Sequence, residues 1–256
     1  MKILVYSDLH VEITPLSLPQ KVWEQVDVVV LAGDIGTAKK ALPWIQENVP
    51  EDIPAYWVYG NHEYYGGHLA SSRIKSVRTL GEESPIKILE NRSIEFNGVR
   101  FLGCTLWTDC RIHEDKISTS LVTQEIAERM NDYRRIRTGG SYRKLRVSET
   151  ICEHLNSVRW LRSELSKEYP GPTVVITHHA PLRECLNDVG DPYLDGTYAS
   201  DLSELIEEYQ PDIWIYGHTH EKRDFMVGNT RLISNPLGYV EYGEKTGFDP
   251  ACVIEI

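Results

Sequence analysis

Ile3-Leu4-Val5-Tyr6-Ser7-Asp8-Leu9-His10 decides how this chain is read. A short apolar run that stops abruptly at polar residues suits a strand buried on both faces. The pattern recurs. Val28-Val29-Val30-Leu31-Ala32 ends in Gly33-Asp34, and Tyr56-Trp57-Val58-Tyr59 ends in Gly60-Asn61-His62-Glu63. Val174-Val175-Ile176 ends in Thr177-His178-His179, and Ile213-Trp214-Ile215-Tyr216 ends in Gly217-His218-Thr219-His220. Each run is followed at once by side chains able to bind a metal.

Helical spacing fills the intervals. Residues 36–48 carry Ala38, Ala41, Leu42 and Ile45 on one face, and residues 68–79 form a second candidate. Residues 148–168 carry Ile151, Leu155, Val158, Leu161 and Leu165 on one stripe, and residues 201–209 carry Leu202, Leu205 and Ile206. Strands alternating with helices predict parallel βαβ units with helices on both sheet faces. Other strands have a different style. Ser93–Phe96 and Val99–Gly103 flank Asn97-Gly98, a strong hairpin signal. Phe225–Val227 and Arg231–Ile233 flank Gly228-Asn229, and residues 252–256 close the chain as a strand. These strands are expected to form a second, mixed or antiparallel sheet packed on the first, giving a two-sheet α/β sandwich with outer helices.

With 256 residues, the chain suits a single domain over 1–256. A polar, Arg-rich segment broken by Gly139-Gly140, residues 111–147, reads as an inserted helical cap or flexible lid. Apolar residues make up 41%, enough for a core, and no stretch approaches the roughly 18 apolar residues of a membrane span. The apolar run at the N-terminus is too short for a signal-peptide core, so a cytoplasmic location is expected. Five cysteines without a CxxC pair argue against a disulfide framework or a cysteine zinc site. A net charge of −11 disfavours broad binding to nucleic acid or anionic membrane. It leaves room for a small phosphorylated substrate, because salt screens charges more than about 10 Å apart. Oligomeric state is not legible.

In open α/β sheets, ligands bind outside the carboxyl ends of the strands. Side chains at i and i+2 of a strand point the same way. Asp8 with His10, and His218 with His220, are therefore expected to converge if the extended backbone persists. Asp8, His10, Asp34, Asn61, His178, His218 and His220 exceed what one ion needs and suit two. Imidazole and carboxylate fit manganese, iron, zinc, cobalt or nickel. Asp34 is the natural bridge, since a carboxylate offers two oxygens. Two divalent ions, two carboxylates and a hydroxide leave an excess of about one positive charge, which attracts phosphate. Two-metal sites hold the ions roughly 3.5–4 Å apart, and a bound water becomes the nucleophile near neutral pH.

Asp8-Leu9-His10, Gly33-Asp34, Gly60-Asn61-His62-Glu63, His178-His179-Ala180-Pro181 and Gly217-His218-Thr219-His220 resemble, in order and spacing, the calcineurin-like metallophosphoesterase family. The likeness is greatest to its small phosphodiesterase-like members. It implies a four-layer α/β/β/α sandwich of two mixed sheets flanked by helices. It also implies a phosphoesterase acting on a phosphodiester or phosphomonoester through metal-activated hydroxide. One ion would be held by Asp8, His10, Asp34 and His220, the other by Asp34, Asn61, His178 and His218. His62 would be the catalytic histidine. Gly33-Asp34-Ile35-Gly36-Thr37 lacks the family's second Asp, which orients that histidine in the protein serine/threonine phosphatases. A protein phosphatase, a nuclease and a non-catalytic scaffold are the alternatives.

Substrate contacts are expected from Arg134 or Arg137 in the insertion, from Tyr65 stacking on a ring, and from His179. Glu63 reads as support for a loop. His68, His113 and His154 read as structural or surface histidines.

Overall fold

The computed structural model describes residues 1–186 and 190–256. The N-terminal half supplies four strands of a five-stranded sheet. It contains β1 (Lys2–Tyr6), β2 (Val28–Ala32), β3 (Ala55–Val58) and β4 (Ile86–Ile88). Between them lie α1 (Ala38–Asn48) and α2 (Leu69–Leu80), followed later by β5 (Arg92–Phe96) and β6 (Val99–Cys104). The segment expected as a cap holds α3 (Thr119–Arg129), α4 (Asp132–Arg135) and a small hairpin, β7 (Arg137–Thr138) and β8 (Arg143–Lys144). It is therefore part helix and part hairpin. α5 (Val147–Leu165), β9 (Thr173–Thr177), α6 (Asp195–Tyr198), α7 (Ser203–Tyr209) and β10 (Ile213–Tyr216) follow. β11 (Arg223–Val227), β12 (Thr230–Ser234) and β13 (Val253–Glu255) complete the fold.

Both sheets are mixed. The first runs β13-β1-β2-β3-β4, all parallel except β13. The second runs β11-β12-β10-β9-β6-β5, with a parallel centre and an antiparallel strand at each edge. The sorting of strands corrects the sequence reading. β9 and β10 lie in the second sheet, between the two hairpins, and β13 pairs with β1 in the first. The reason is burial. β6 is buried along its whole length, so it serves as an inner neighbour for β9 rather than as an outer hairpin strand.

Strand alternation makes the layers. Ile3, Val5, Val28 and Val30 meet Val174, Ile176, Ile213 and Ile215 in the core between the sheets. Leu4, Tyr6, Val29 and Leu31 face α1 on the other side. Val175, Trp214 and Tyr216 face α5 and α7. Each sheet thus has helices on one face only, because the partner sheet covers the other, and the result is an α/β/β/α sandwich. The buried face of α5 also departs from expectation. Leu155 is 51% exposed, whereas His154 and Ser157 are buried. His154 Nδ1 lies 3.2 Å from the Leu106 carbonyl and 3.3 Å from that of Trp107, so a polar residue occupies the inner face. The five cysteines are free thiols. Among the described residues, no helix is long and apolar enough to cross a membrane.

Candidate metal centre

Asp8 and His10 follow β1, Asp34 follows β2, and Asn61 and His62 follow β3; His178 follows β9, and His218 and His220 follow β10. All stand at the carboxyl ends of strands, and the two sheets present them to one place. The backbone that brings them together is not extended. Asp8 has φ +51°, His10 +47°, Asp34 +52°, His218 +68° and His220 +51°. The i, i+2 convergence expected from strand geometry is thus achieved instead by residues in left-handed conformations, which turn the chain sharply. The glycine before His218 is needed for close approach: a Cβ on Gly217 would sit 2.7 Å from Asp8 Oδ2 and 2.8 Å from the Ala32 carbonyl.

Hydrogen bonds fix the histidine tautomers. His178 Nδ1 lies 3.0 Å from the Ala32 carbonyl, so Nδ1 carries the proton and Nε2 a lone pair. That lone pair faces Asn61 Oδ1 at 3.1 Å, Asp34 Oδ1 at 3.5 Å and His218 Nδ1 at 3.1 Å. Asn61 turns its amide nitrogen the other way, to Asp132 Oδ1 at 2.8 Å. Acceptors therefore meet acceptors, an arrangement that suits a cation. The second half repeats this logic. His220 Nδ1 donates to Glu244 at 2.7 Å, leaving Nε2 to face Asp8 Oδ1 at 3.5 Å and His10 Nε2 at 3.1 Å. Asp34 stands between the halves, with Oδ2 4.0 Å from His10 Nε2. Two donor sets, Asp8–Asp34–His178–His218 and Asp8–His10–His220, each have ligand atoms within 4.8 Å of one another. Asp8 belongs to both, and Asp34 also groups with His10 and His62.

The electrostatics suit ligation. Burial pushes His178 down to about 4 and also lowers His218, so both imidazoles are neutral, as a metal ligand must be. Burial, reinforced by Glu63 and Asp8, raises Asp34. Burial pulls His220 down, but Asp8 and Glu244 outweigh it and lift the imidazole to about 9. A cation bound there displaces that proton.

The family model for calcineurin-like phosphoesterases matches residues 1–222. The chain belongs to that family. An uncharacterised protein of Acanthamoeba polyphaga mimivirus is 30% identical over 285 residues, spanning 100% of this chain and 97% of that one. The fold is similar to phosphopantetheinyl hydrolase from Mycobacterium tuberculosis, with a TM-score of 0.73, 18% identity, and 94% of this chain and 90% of that one covered. It is also similar to a dimetal phosphatase from Danio rerio, with a TM-score of 0.50, 15% identity, and coverage of 91% and 86%.

Around the ligand set, this calcineurin-like phosphoesterase carries a layer of supports that sequence motifs did not reveal. His62 Nδ1 contacts Glu12 Oε1 at 2.6 Å, and its Nε2 lies 3.1 Å from the Tyr239 hydroxyl. Glu12 thus stands where the missing second Asp of the Gly33-Asp34 motif would act. The alternation Asp8, His10, Glu12 was the available signal. Asp132, from α4, accepts from Asn61 and, at 2.6 Å, from the Tyr65 hydroxyl. Asp132, Tyr239 and Glu244 lie far from any motif, and no local pattern marks them. Glu63 behaves as the sequence suggested: its buried carboxylate accepts the amides of Asp34 (3.0 Å), Ile35 (2.8 Å) and Gly60 (2.7 Å), tying two ligand loops together.

The centre opens into a cavity of about 1150 Å³. Tyr65 lines it, with its ring 4.2 Å from that of His62. His179 is buried behind His218, with Nδ1 3.1 Å from the Thr105 carbonyl, and is absent from the wall. Arg134 and Arg137 are absent too. Arg134 turns to the Glu128 carbonyl, and Arg137 Nη1 donates to the Arg134 carbonyl at 3.2 Å. Arg129 and Arg135 line the cavity instead. Neighbouring residues on a helical turn point about 100° apart, so Arg135 faces inward where Arg134 does not. His68 caps α2, and His113 pairs with Asp195 at 2.7 Å.

Proposed function

We propose that the chain is a binuclear-metal-dependent phosphoesterase that hydrolyses a small phosphodiester or phosphomonoester. The observation that carries this reading is the meeting of unprotonated His178 Nε2 with Asn61 Oδ1 and Asp34 Oδ1, a set of buried donors complementary to a cation. When bound, two divalent ions supply positive charge to the phosphoryl oxygens and lower the pKa of the attacking water. Asp8, His10, Asp34 and His220 would hold one, and Asp34, Asn61, His178 and His218 the other.

The protein's own groups supply the rest. Glu12 holds the His62 ring by Nδ1, which leaves Nε2 as the atom that hands a proton to the departing oxygen. Burial raises Tyr239, so its hydroxyl stays protonated beside that nitrogen and fixes its direction. Glu63 keeps the Asp34 and Asn61 loops in register. Carboxylates at the cavity wall, among them Asp191, Glu221 and Glu244, join the net charge of −11 in disfavouring a nuclease. Unpaired buried thiols at Cys104, Cys110 and Cys185 support a reducing, cytoplasmic location.

Protein reconstituted with manganese, iron, zinc, cobalt or nickel is expected to cleave nitrophenyl phosphate esters, with Asn61→Ala as the impaired control. A preference for the bis-nitrophenyl ester assigns a phosphodiesterase. Absence of turnover with every metal would overturn the reading.

A further inference from the structure

The insertion contributes more than a cover. α4 sends Asp132 inward to the Asn61 amide and the Tyr65 hydroxyl, which fixes the plane of the Tyr65 ring. Arg135, on the same turn, lies over that ring with its guanidinium carbon 4.5 Å from the centroid. The Tyr65 ring also neighbours His62, at 4.2 Å between ring centroids. Imidazole and guanidinium therefore both lie against the phenol ring, and all three residues line the cavity. The guanidinium carbon lies no farther from the His62 ring than these two distances taken together. Stacking on an aromatic face leaves the N–H edge of an arginine available for a planar anion.

Of the other cations of the wall, Lys245 has no ion pair among the described residues but lies against no aromatic ring there, while the two arginines are engaged. Arg129 pairs with Asp191 at 2.6 Å, and Arg223 with Glu221 at 2.9 Å. Arg135 has no carboxylate partner among the described residues. In a chain of net charge −11, a cation laid on an aromatic ring at the wall of the proposed catalytic cavity, with no carboxylate partner among the described residues, is suited to bind a ligand rather than the fold. We propose that Arg135, laid on Tyr65, forms a subsite for a second anionic group of the substrate. That group, a phosphate or carboxylate, is joined by a short linker to the phosphoryl group that reacts. This rests on the phosphoesterase reading and narrows it to substrates carrying two anionic groups.

The test compares thymidine 5′-(p-nitrophenyl phosphate) with the same ester phosphorylated at the 3′ oxygen, on the manganese-loaded full chain. The 3′-phosphorylated ester is expected to have a kcat/KM higher by roughly 10-fold to 100-fold, the range of a charge-assisted hydrogen-bonded pair. Arg135→Gln is expected to bring that ratio close to one through KM, and Arg135→Lys to restore part of it. Arg134→Gln, one residue away and outside the wall, is expected to leave the ratio unchanged. A wild-type ratio of one, a ratio that survives Arg135→Gln, or an equal loss in Arg134→Gln would each overturn the subsite. Calorimetric binding of thymidine 3′,5′-bisphosphate separates the two readings. If neither ester turns over but Arg135→Gln weakens bisphosphate binding, the subsite stands and the phosphoesterase reading falls. If binding is equal in both proteins, the subsite falls.

Discussion

On one side of the cavity, Asp8, Asp34, Asn61, His178 and His218 each stand just past the end of a buried strand. On the other, Asp132 and Arg135 ride on a single helical turn, α4, and Tyr239 lies beyond the last strand of the second sheet. The first group is placed by the sheets, so its positions follow from where five apolar runs stop. The second is placed by helix phase and by contacts across more than sixty residues, as between Asn61 and Asp132 (|i−j| = 71). Residues that hold a ligand come with local signals. Residues that aim them do not.

Four substitutions probe this division, beginning with the strand-end side. Asp34→Ala removes the carboxylate proposed to serve both ions. Turnover of a nitrophenyl phosphate ester is expected to fall by roughly 10³-fold or more, and bound metal measured by mass spectrometry to drop with it. Glu63→Ala leaves three buried amides without an acceptor. At about 1–3 kcal/mol for each orphaned group, unfolding by urea should show a loss of at least about 3 kcal/mol. Asp132→Ala tests whether the insertion reaches the metal centre: titration calorimetry should show metal affinity about 10-fold weaker, as expected when a ligand loses its orienting partner. An unchanged affinity would confine the centre to the strand ends. Glu12→Gln should lower kcat about 10-fold with KM little altered and with less loss of bound metal than Asp34→Ala, since Glu12 lies 2.6 Å from His62 but 3.7 Å from His10.

The sandwich and the meeting of its candidate ligands were legible because apolar runs, glycines and polar stops are written consecutively in the chain. Strand membership was less so. Val174–Ile176 and Ile213–Tyr216 look like the strands of the first sheet, and nothing in a buried run says which sheet it joins. The stripe on α5 misplaced Leu155 because His154 and Ser157 are polar yet face inward, where carbonyls of the Leu106–Trp107 turn receive the histidine. Arg134 and Arg137 were chosen by composition, but a one-turn helix lets only Arg135 reach the wall. Glu12 shows the limit most directly. Its place in the alternation Asp8, His10, Glu12 is visible, but its contact with His62 depends on the left-handed turn at Asp8 and His10.

That turn has a consequence for how the sequence can drift. Five of the residues assigned to the metals hold backbone conformations in which an ordinary side chain is locally frustrated, at a cost of roughly 1–2 kcal/mol each. A chain selected only for folding would place glycine or asparagine at 8, 10, 34, 218 and 220. Replacing His218 by glycine should therefore give a metal-free protein more stable than the alanine variant by about 1 kcal/mol in urea unfolding. These positions mark where the molecule surrenders stability to chemistry, and they are the first at which relaxed selection would let the fold relax too.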